Sequence, residues 1–215
     1  MQMASAVLDV LARLEQRSTS ERPELERLNN IGAPATRAAA GGLMLDVGPE
    51  VGRLLNALAR IVDARNVLEI GGSVGYSTVW IAEALSHTGG HAVTVEPNQD
   101  KADQLRTNLV SAGVDKFVDV VVDDAGAVVG QVTEPLDLVL IDHWKDLYVR
   151  EFDAVWPKLR SGGVIVADNV LRPTATADLM RAYIDHVRAQ PGAYSFTLDI
   201  GDGVELTWRT HQNEA

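Results

Sequence analysis

The sequence predicts an α/β fold, a doubly wound and mostly parallel sheet closed by an antiparallel C-terminal hairpin. Three observations carry it. From Asn66 onward, short β-branched runs alternate with segments long enough for helices. The runs are apolar throughout rather than alternating, as strands covered on both faces require. Polar clusters follow the runs, at the ends where ligands of such sheets bind.

The first 65 residues read as helical, with shorter helices at Ala4–Gln16 and Pro23–Asn29 separated by the loop-like STSERPE. Gly32–Gly48, rich in Ala and Gly, receives no element. Val51, Leu54, Leu55, Leu58, Ile61 and Val62 recur at the spacing of one helical face behind Pro49 and Glu50. Strands follow at Val67–Ile70, Ala92–Val95, Phe117–Val122, Leu136–Ile141 and Val164–Ala167, with helices at Ser77–Leu85, Gln99–Ala112 and Leu147–Leu159. A helix at Ala177–Ala189 precedes two strands, Tyr194–Asp199 and Val204–Trp208, joined by the hairpin signal IGDG. The whole reads as one domain, a helical cap over 1–48 and a core over 49–215.

Composition narrows the function. Nineteen Lys+Arg against 30 Asp+Glu leave a formal charge of −11, which argues against a nucleic-acid partner, because such binding runs on basic side chains. The absence of cysteine excludes disulfides, thiolate chemistry and Cys-ligated metals, and fits a cytoplasmic protein. No stretch approaches a membrane span, and the amphipathic N-terminus, with Asp9 and Glu15, reads as a helix rather than a secretory signal.

The turn Glu69-Ile70-Gly71-Gly72-Ser73-Val74-Gly75-Tyr76-Ser77 admits competing readings. A dinucleotide fingerprint needs glycines where Ser73 and Tyr76 stand. A serine-hydrolase elbow matches Gly71–Gly75 but falls after the first strand rather than an inner one, with no oxyanion segment before it. The pattern E-x-G-x-x-x-G, met by Glu69, Gly71 and Gly75, suits S-adenosylmethionine, which has no pyrophosphate to cradle. Glu96, at the end of the second strand, can accept both ribose hydroxyls of any nucleotide. The bland alternative is a tight connection without a ligand.

Asp142 ends the fourth strand, and Asp168 and Asn169 end the fifth. Neighbouring strands lie about 4.8 Å apart, so these oxygens can converge, and two carboxylates with an amide suit Mg2+ or another hard divalent cation. Each alone is more often a strand-end turn former. Lys145 could be a base beside that ion, since a nearby cation disfavours its ammonium form.

With LDVGPEVG, LEIGGSVGYST, VTVEPN, LIDHWKDLY and VADNVLRP in place, Leu45–Asn169 resembles the cation-dependent class I O-methyltransferases, most closely the catechol O-methyltransferases. The resemblance implies a Rossmann-like, seven-stranded core. It also implies Asp142, Asp168 and Asn169 on the metal, Lys145 as base, and Glu96 on the ribose. Val47, Glu69, Gly71, Ser73 and Ser77 would line the methionine part. Asp124, Ala125, Asp142, His143 and Trp144 would bound the rest of the cofactor, and Lys145, Asn169 and Pro173 would touch the acceptor.

Two positions depart from the family. Leu43 falls where catechol enzymes carry an aromatic gate, and their C-terminal glutamate aligns near Phe196, with Asp199 close by. The implied reaction is methyl transfer from S-adenosylmethionine to one hydroxyl of a small aromatic vicinal diol. The rivals are a caffeoyl-CoA-like ester, a modified tRNA base, or a non-catalytic cofactor-binding module. The helical first 45 residues offer an interface for a homodimer.

Overall fold

The computed structural model describes residues 3–29 and 39–210. Fourteen main elements follow in order: α1 (Ser5–Asn29), α2 (Gly48–Ile61), β1 (Asn66–Ile70), α3 (Tyr76–Thr88), β2 (His91–Val95), α4 (Gln99–Ala112), β3 (Val118–Val121), α5 (Ala125–Gln131), β4 (Leu136–Ile141), α6 (Tyr148–Val155), β5 (Leu159–Asp168), α7 (Ala177–Ala189), β6 (Ala193–Leu198) and β7 (Val204–Arg209). The seven strands lie in the order β3-β2-β1-β4-β5-β7-β6. β1 to β5 pair in parallel, and β7 runs antiparallel to both β5 and β6.

Every residue of β4 is buried, because both faces of the sheet are covered. Leu138 and Leu140 pack with Leu14, Leu55, Ile81 and Leu105 of α1 to α4. Val139 and Ile141, one step along the pleat, pack with Val128, Phe152 and Tyr183 of α5 to α7. This two-sided burial explains why the strand sequences are apolar without alternation.

Three expectations change. The N-terminal region is one 25-residue helix with Pro23 inside it, not two helices and a loop. The polar residues of STSERPE serve the helix instead: Thr19 Oγ1 and Ser20 Oγ donate to the carbonyls of Glu15 and Arg17, and Arg17 Nε reaches Glu21 Oε1 at 2.7 Å. Leu28, 2 % exposed, anchors the last turn. The helix expected over Leu147–Leu159 stops at Val155, since Pro157 cannot continue it, and β5 already begins at Leu159. The strand expected from Phe117 begins at Val118, with Phe117 in a short 3-10 turn. Of the unassigned Gly32–Gly48 stretch, residues 32–38 lie outside the described residues, and Ala40–Gly42 form another 3-10 turn.

The strand order reverses between β1 and β4, so the crevice for a ligand opens past their carboxyl ends. The glycine turn leaves β1 at that point and Asp142 leaves β4 beside it, with Asp142 N–H donating to the Ile70 carbonyl at 2.9 Å.

Candidate active site

The glycine turn is held from three sides. Gly71 and Gly72 N–H both donate to the Val95 carbonyl at the end of β2, at 2.9 and 3.2 Å. Gly71 has φ +100°, and a Cβ there would sit 1.9 Å from the Asp142 carbonyl oxygen, so the approach of β4 requires glycine. Leu45 N–H donates to Ser73 Oγ at 3.2 Å, bringing the segment before α2, with buried Val47, against the turn.

Glu69, fully buried at the end of β1, accepts hydrogen bonds from Ser77 Oγ (2.5 Å), Thr78 Oγ1 (2.6 Å) and Thr94 Oγ1 (2.8 Å). Burial outweighs these donors and pushes its carboxyl up to about 7. Thr94 was not singled out from sequence. Its register partner across β1 and β2 is Glu69, and a polar residue inside a buried strand was the available signal.

Glu96 is 7 % exposed and accepts Ser73 N–H at 2.8 Å and Asn98 N–H at 2.9 Å, one on each oxygen. Each oxygen keeps a lone pair that a vicinal diol can use. Burial raises its pKa, against the opposing pull of the two N–H groups and the nearby Lys101 charge.

Asp124 caps α5 by accepting Gly126 N–H at 2.9 Å, with its side chain largely exposed and Ala125 buried behind it. His143 Nε2 stands 3.6 Å from Glu151 Oε1, within ion-pair reach but too long for a hydrogen bond, and among the described residues neither ring nitrogen has a hydrogen-bond partner. Trp144 is half-buried beside it.

Asp142, Asp168 and Asn169 each bring an oxygen to the Lys145 side-chain nitrogen. Lys145 Nζ lies 2.8 Å from Asn169 Oδ1, 3.3 Å from the Asp168 carbonyl, 3.5 Å from Asp142 Oδ1 and 2.5 Å from the Tyr148 hydroxyl. Its side chain is 11 % exposed. Burial lowers its pKa despite the facing carboxylates of Asp142 and Asp168. Asn169 adopts φ +57°, which asparagine tolerates better than most residues and which turns the chain at the end of β5.

Asp168 is fully buried, and among the described residues neither carboxylate oxygen has a hydrogen-bond partner. Burial, reinforced by the Asp142 charge, holds its carboxyl well above the usual range. A buried carboxylate without donors is costly unless a cation meets it. Asp142, Asp168 and Asn169 therefore fit a hard divalent cation. The described residues contain no cluster of three or more His, Asp or Glu suited to an ion, so the set is a mixed one of two acids and an amide.

The loop after β5 packs on the β6–β7 turn, where the sequence reading expects the acceptor. Val170, Leu171 and Arg172 N–H donate to the carbonyls of Gly203 and Asp202, while the Arg172 guanidinium reaches Gly201 O (2.7 Å), Asp199 (3.2 Å) and Asp202 (3.3 Å). Pro173 follows in this loop, half-buried, and Leu43 is half-buried on the segment leading to α2. Phe196 is not at the site: it lies within β6, 40 % exposed, against Tyr194. Asp202, which sequence reading passed over as part of a turn, is the hairpin acid whose charge reaches Lys145 and Asp168.

The family model described as O-methyltransferase matches residues 15–209, nearly the whole chain. The chain belongs to the O-methyltransferase family. Among curated proteins, this methyltransferase is 34 % identical over 152 residues to a catechol O-methyltransferase of Niastella koreensis, covering 69 % of the chain and 68 % of the relative. It is 36 % identical over 165 residues to one of Mycobacterium tuberculosis, covering 76 % and 72 %. Among solved structures, an O-methyltransferase from Bacillus cereus in complex with SAH superposes with a TM-score of 0.73 at 30 % identity, covering 86 % of this chain and 90 % of that one. The O-methyltransferase TomG of Streptomyces achromogenes, in complex with SAM, gives 0.70 at 29 % identity, covering 78 % and 82 %. The enzyme class and the α/β fold expected from the sequence stand. Among the described residues no helix is long and apolar enough to cross a membrane.

Proposed function

We propose that this O-methyltransferase transfers the methyl group of S-adenosylmethionine to one hydroxyl of a small catechol-type acceptor, with a divalent cation held by Asp142, Asp168 and Asn169. The observation that carries the reading is the buried Asp168 carboxylate without a donor, beside Asp142 and Asn169, in the crevice where the glycine turn ends. The catechol O-methyltransferase relatives support the acceptor class, and the SAM- and SAH-bound structural relatives support the cofactor.

Bound there, the cation would supply Lewis-acid polarisation of the acceptor oxygens. The chain's own residues do the rest. Glu96 holds the ribose, and Val47, Glu69, Gly71, Ser73 and Ser77 enclose the methionine part. Asp124, Ala125, His143 and Trp144 bound the adenine. Lys145 Nζ accepts the proton of the attacking hydroxyl, the new O–CH3 bond forms as the S–CH3 bond breaks, and the sulfonium leaves as a neutral thioether. Held in line, oxygen, methyl and sulfur need little further activation, since such positioning supplies on the order of 7–11 kcal/mol. Leu43 and Pro173 form the acceptor rim.

Incubation with labelled S-adenosylmethionine, Mg2+ and a panel of catechols tests the reading, with product mass as the readout. A monomethylated catechol is expected. Failure to methylate any vicinal dihydroxy-aromatic would remove the acceptor class.

A further inference from the structure

We propose that Asn108 is a positioning residue that holds Ser73 in the backbone conformation the cofactor needs, a role that rests on Ser73 and Glu96 serving S-adenosylmethionine. Asn108 lies on α4 and is only 5 % exposed. Its side chain reaches the glycine turn from behind. Nδ2–H donates to the Val74 carbonyl at 2.7 Å, and Oδ1 accepts from the Arg13 guanidinium of α1 at 2.9 Å. A carbonyl only accepts and a guanidinium only donates, so the amide has one orientation. The helix is packed directly on the turn at this level, since a Cβ at Gly75 would stand 3.0 Å from Leu105 Cγ.

What this anchor opposes is the backbone preference of Ser73. The turn closes with Gly75 N–H donating to the Gly72 carbonyl at 2.8 Å, which makes Ser73 and Val74 its two central residues. Ser73 has φ +46°, a sign that the first central residue takes in mirror-image turns, where glycine is favoured because a Cβ is crowded there. A glycine could not do the work of this position: Ser73 Oγ accepts Leu45 N–H at 3.2 Å, while Ser73 N–H donates to Glu96 Oε2 at 2.8 Å. Left to itself, a serine would relax to negative φ and rotate the peptide planes on either side of it. With the Val74 carbonyl anchored to α4 and the Ser73 N–H to Glu96, that rotation breaks a buried hydrogen bond at one end or the other. Asn108 thus makes α4, and through Arg13 also α1, a support for the ribose acid without touching the cofactor.

The test is a double-mutant cycle on the full-length protein, read as the Kd for S-adenosylhomocysteine by calorimetric titration. Asn108→Asp keeps the shape and the contact with Arg13 but turns an oxygen on the Val74 carbonyl. The Kd is expected to rise about 5- to 30-fold, because the binding-competent turn becomes a minor conformer. In a Ser73→Gly background, where positive φ carries no penalty, the same substitution should raise the Kd less than about twofold. A Kd within about twofold of wild type in Asn108→Asp overturns the role of Asn108. An equal rise in both backgrounds overturns it too, since a merely structural asparagine would give that result. Failure of the wild type to bind S-adenosylhomocysteine overturns the cofactor reading instead, and amide exchange of the ligand-free protein then decides. Exchange at Ser73 about tenfold or more faster in Asn108→Asp supports the anchor, and an unchanged rate overturns it. Should Asn108→Asp not fold, Asn108→Ser withdraws the amide without adding a charge and is read in the same cycle, with the same outcomes.

Discussion

The glycine at position 71 faces the carbonyl oxygen of Asp142 so closely that a single methyl group would stand 1.9 Å from it. This contact joins the glycine turn to the strand end that carries an acid of the candidate cation site, across the crevice where the sheet reverses its order. Gly71→Ala, at φ +100°, forces the two apart. It should cost roughly 2–5 kcal/mol of stability and abolish measurable binding of S-adenosylhomocysteine. Urea denaturation and calorimetric titration check this; wild-type stability with intact binding would contradict it.

Glu69 makes stability depend on pH. Burial raises its carboxyl to about 7 from an ordinary 4.5, so the folded protein prefers the neutral form more than the unfolded chain does. The stabilisation is complete below pH about 4.5 and is lost as pH rises through about 7, amounting to about 3 kcal/mol. Between pH 5 and 8, about that much stability should be lost by the wild type beyond any loss in Glu69→Gln. Parallel urea titrations of the two proteins would read this difference, and identical slopes would show that Glu69 does not titrate there.

Replacing Asp168 by asparagine separates stability from function. The carboxylate is buried without a donor and its charge is disfavoured by Asp142. Asp168→Asn should therefore raise the melting temperature of the metal-free protein by a few degrees, about 1 kcal/mol, while removing methyl transfer. A fall in Tm would mean that the carboxylate is better satisfied than its surroundings indicate.

Glu96→Gln keeps one acceptor but loses the charge that would strengthen a bidentate grip on two ribose hydroxyls. The Kd for S-adenosylhomocysteine should rise about 10- to 100-fold, with kcat at saturating cofactor nearly unchanged. An unaltered Kd would place the ribose elsewhere.

Much of this arrangement was legible in the sequence because it resides in strand-end motifs. Apolar runs mark buried strands, and polar residues immediately after them can only face the carboxyl edge of the sheet. Asp142, Lys145, Asp168 and Asn169 could thus be grouped before any coordinates. The continuity of the N-terminal helix was not legible, because Pro23 and a serine-threonine run imitate a loop, and tertiary anchors such as Leu14, Leu28 and Glu21 hold it helical. Thr94 was hidden because its partner, Glu69, lies on another strand in register. The contact of Tyr148 with Lys145 was not legible in the motif LIDHWKDLY, since the hydroxyl meets Lys145 only after a 3-10 turn over Lys145–Leu147 folds the chain back. The region expected at the acceptor was least legible: the family's glutamate aligns near Phe196, whose side chain β6 leaves 40 % exposed, while Asp202, an exposed hairpin acid whose charge bears on Asp168, was passed over.

The most direct test of the account is metal dependence measured on one preparation. Methyl transfer from labelled S-adenosylmethionine to a catechol should vanish in excess EDTA and return on addition of excess Mg2+, with S-adenosylhomocysteine still binding to the chelated protein. Undiminished transfer in excess EDTA would contradict a cation held by Asp142, Asp168 and Asn169.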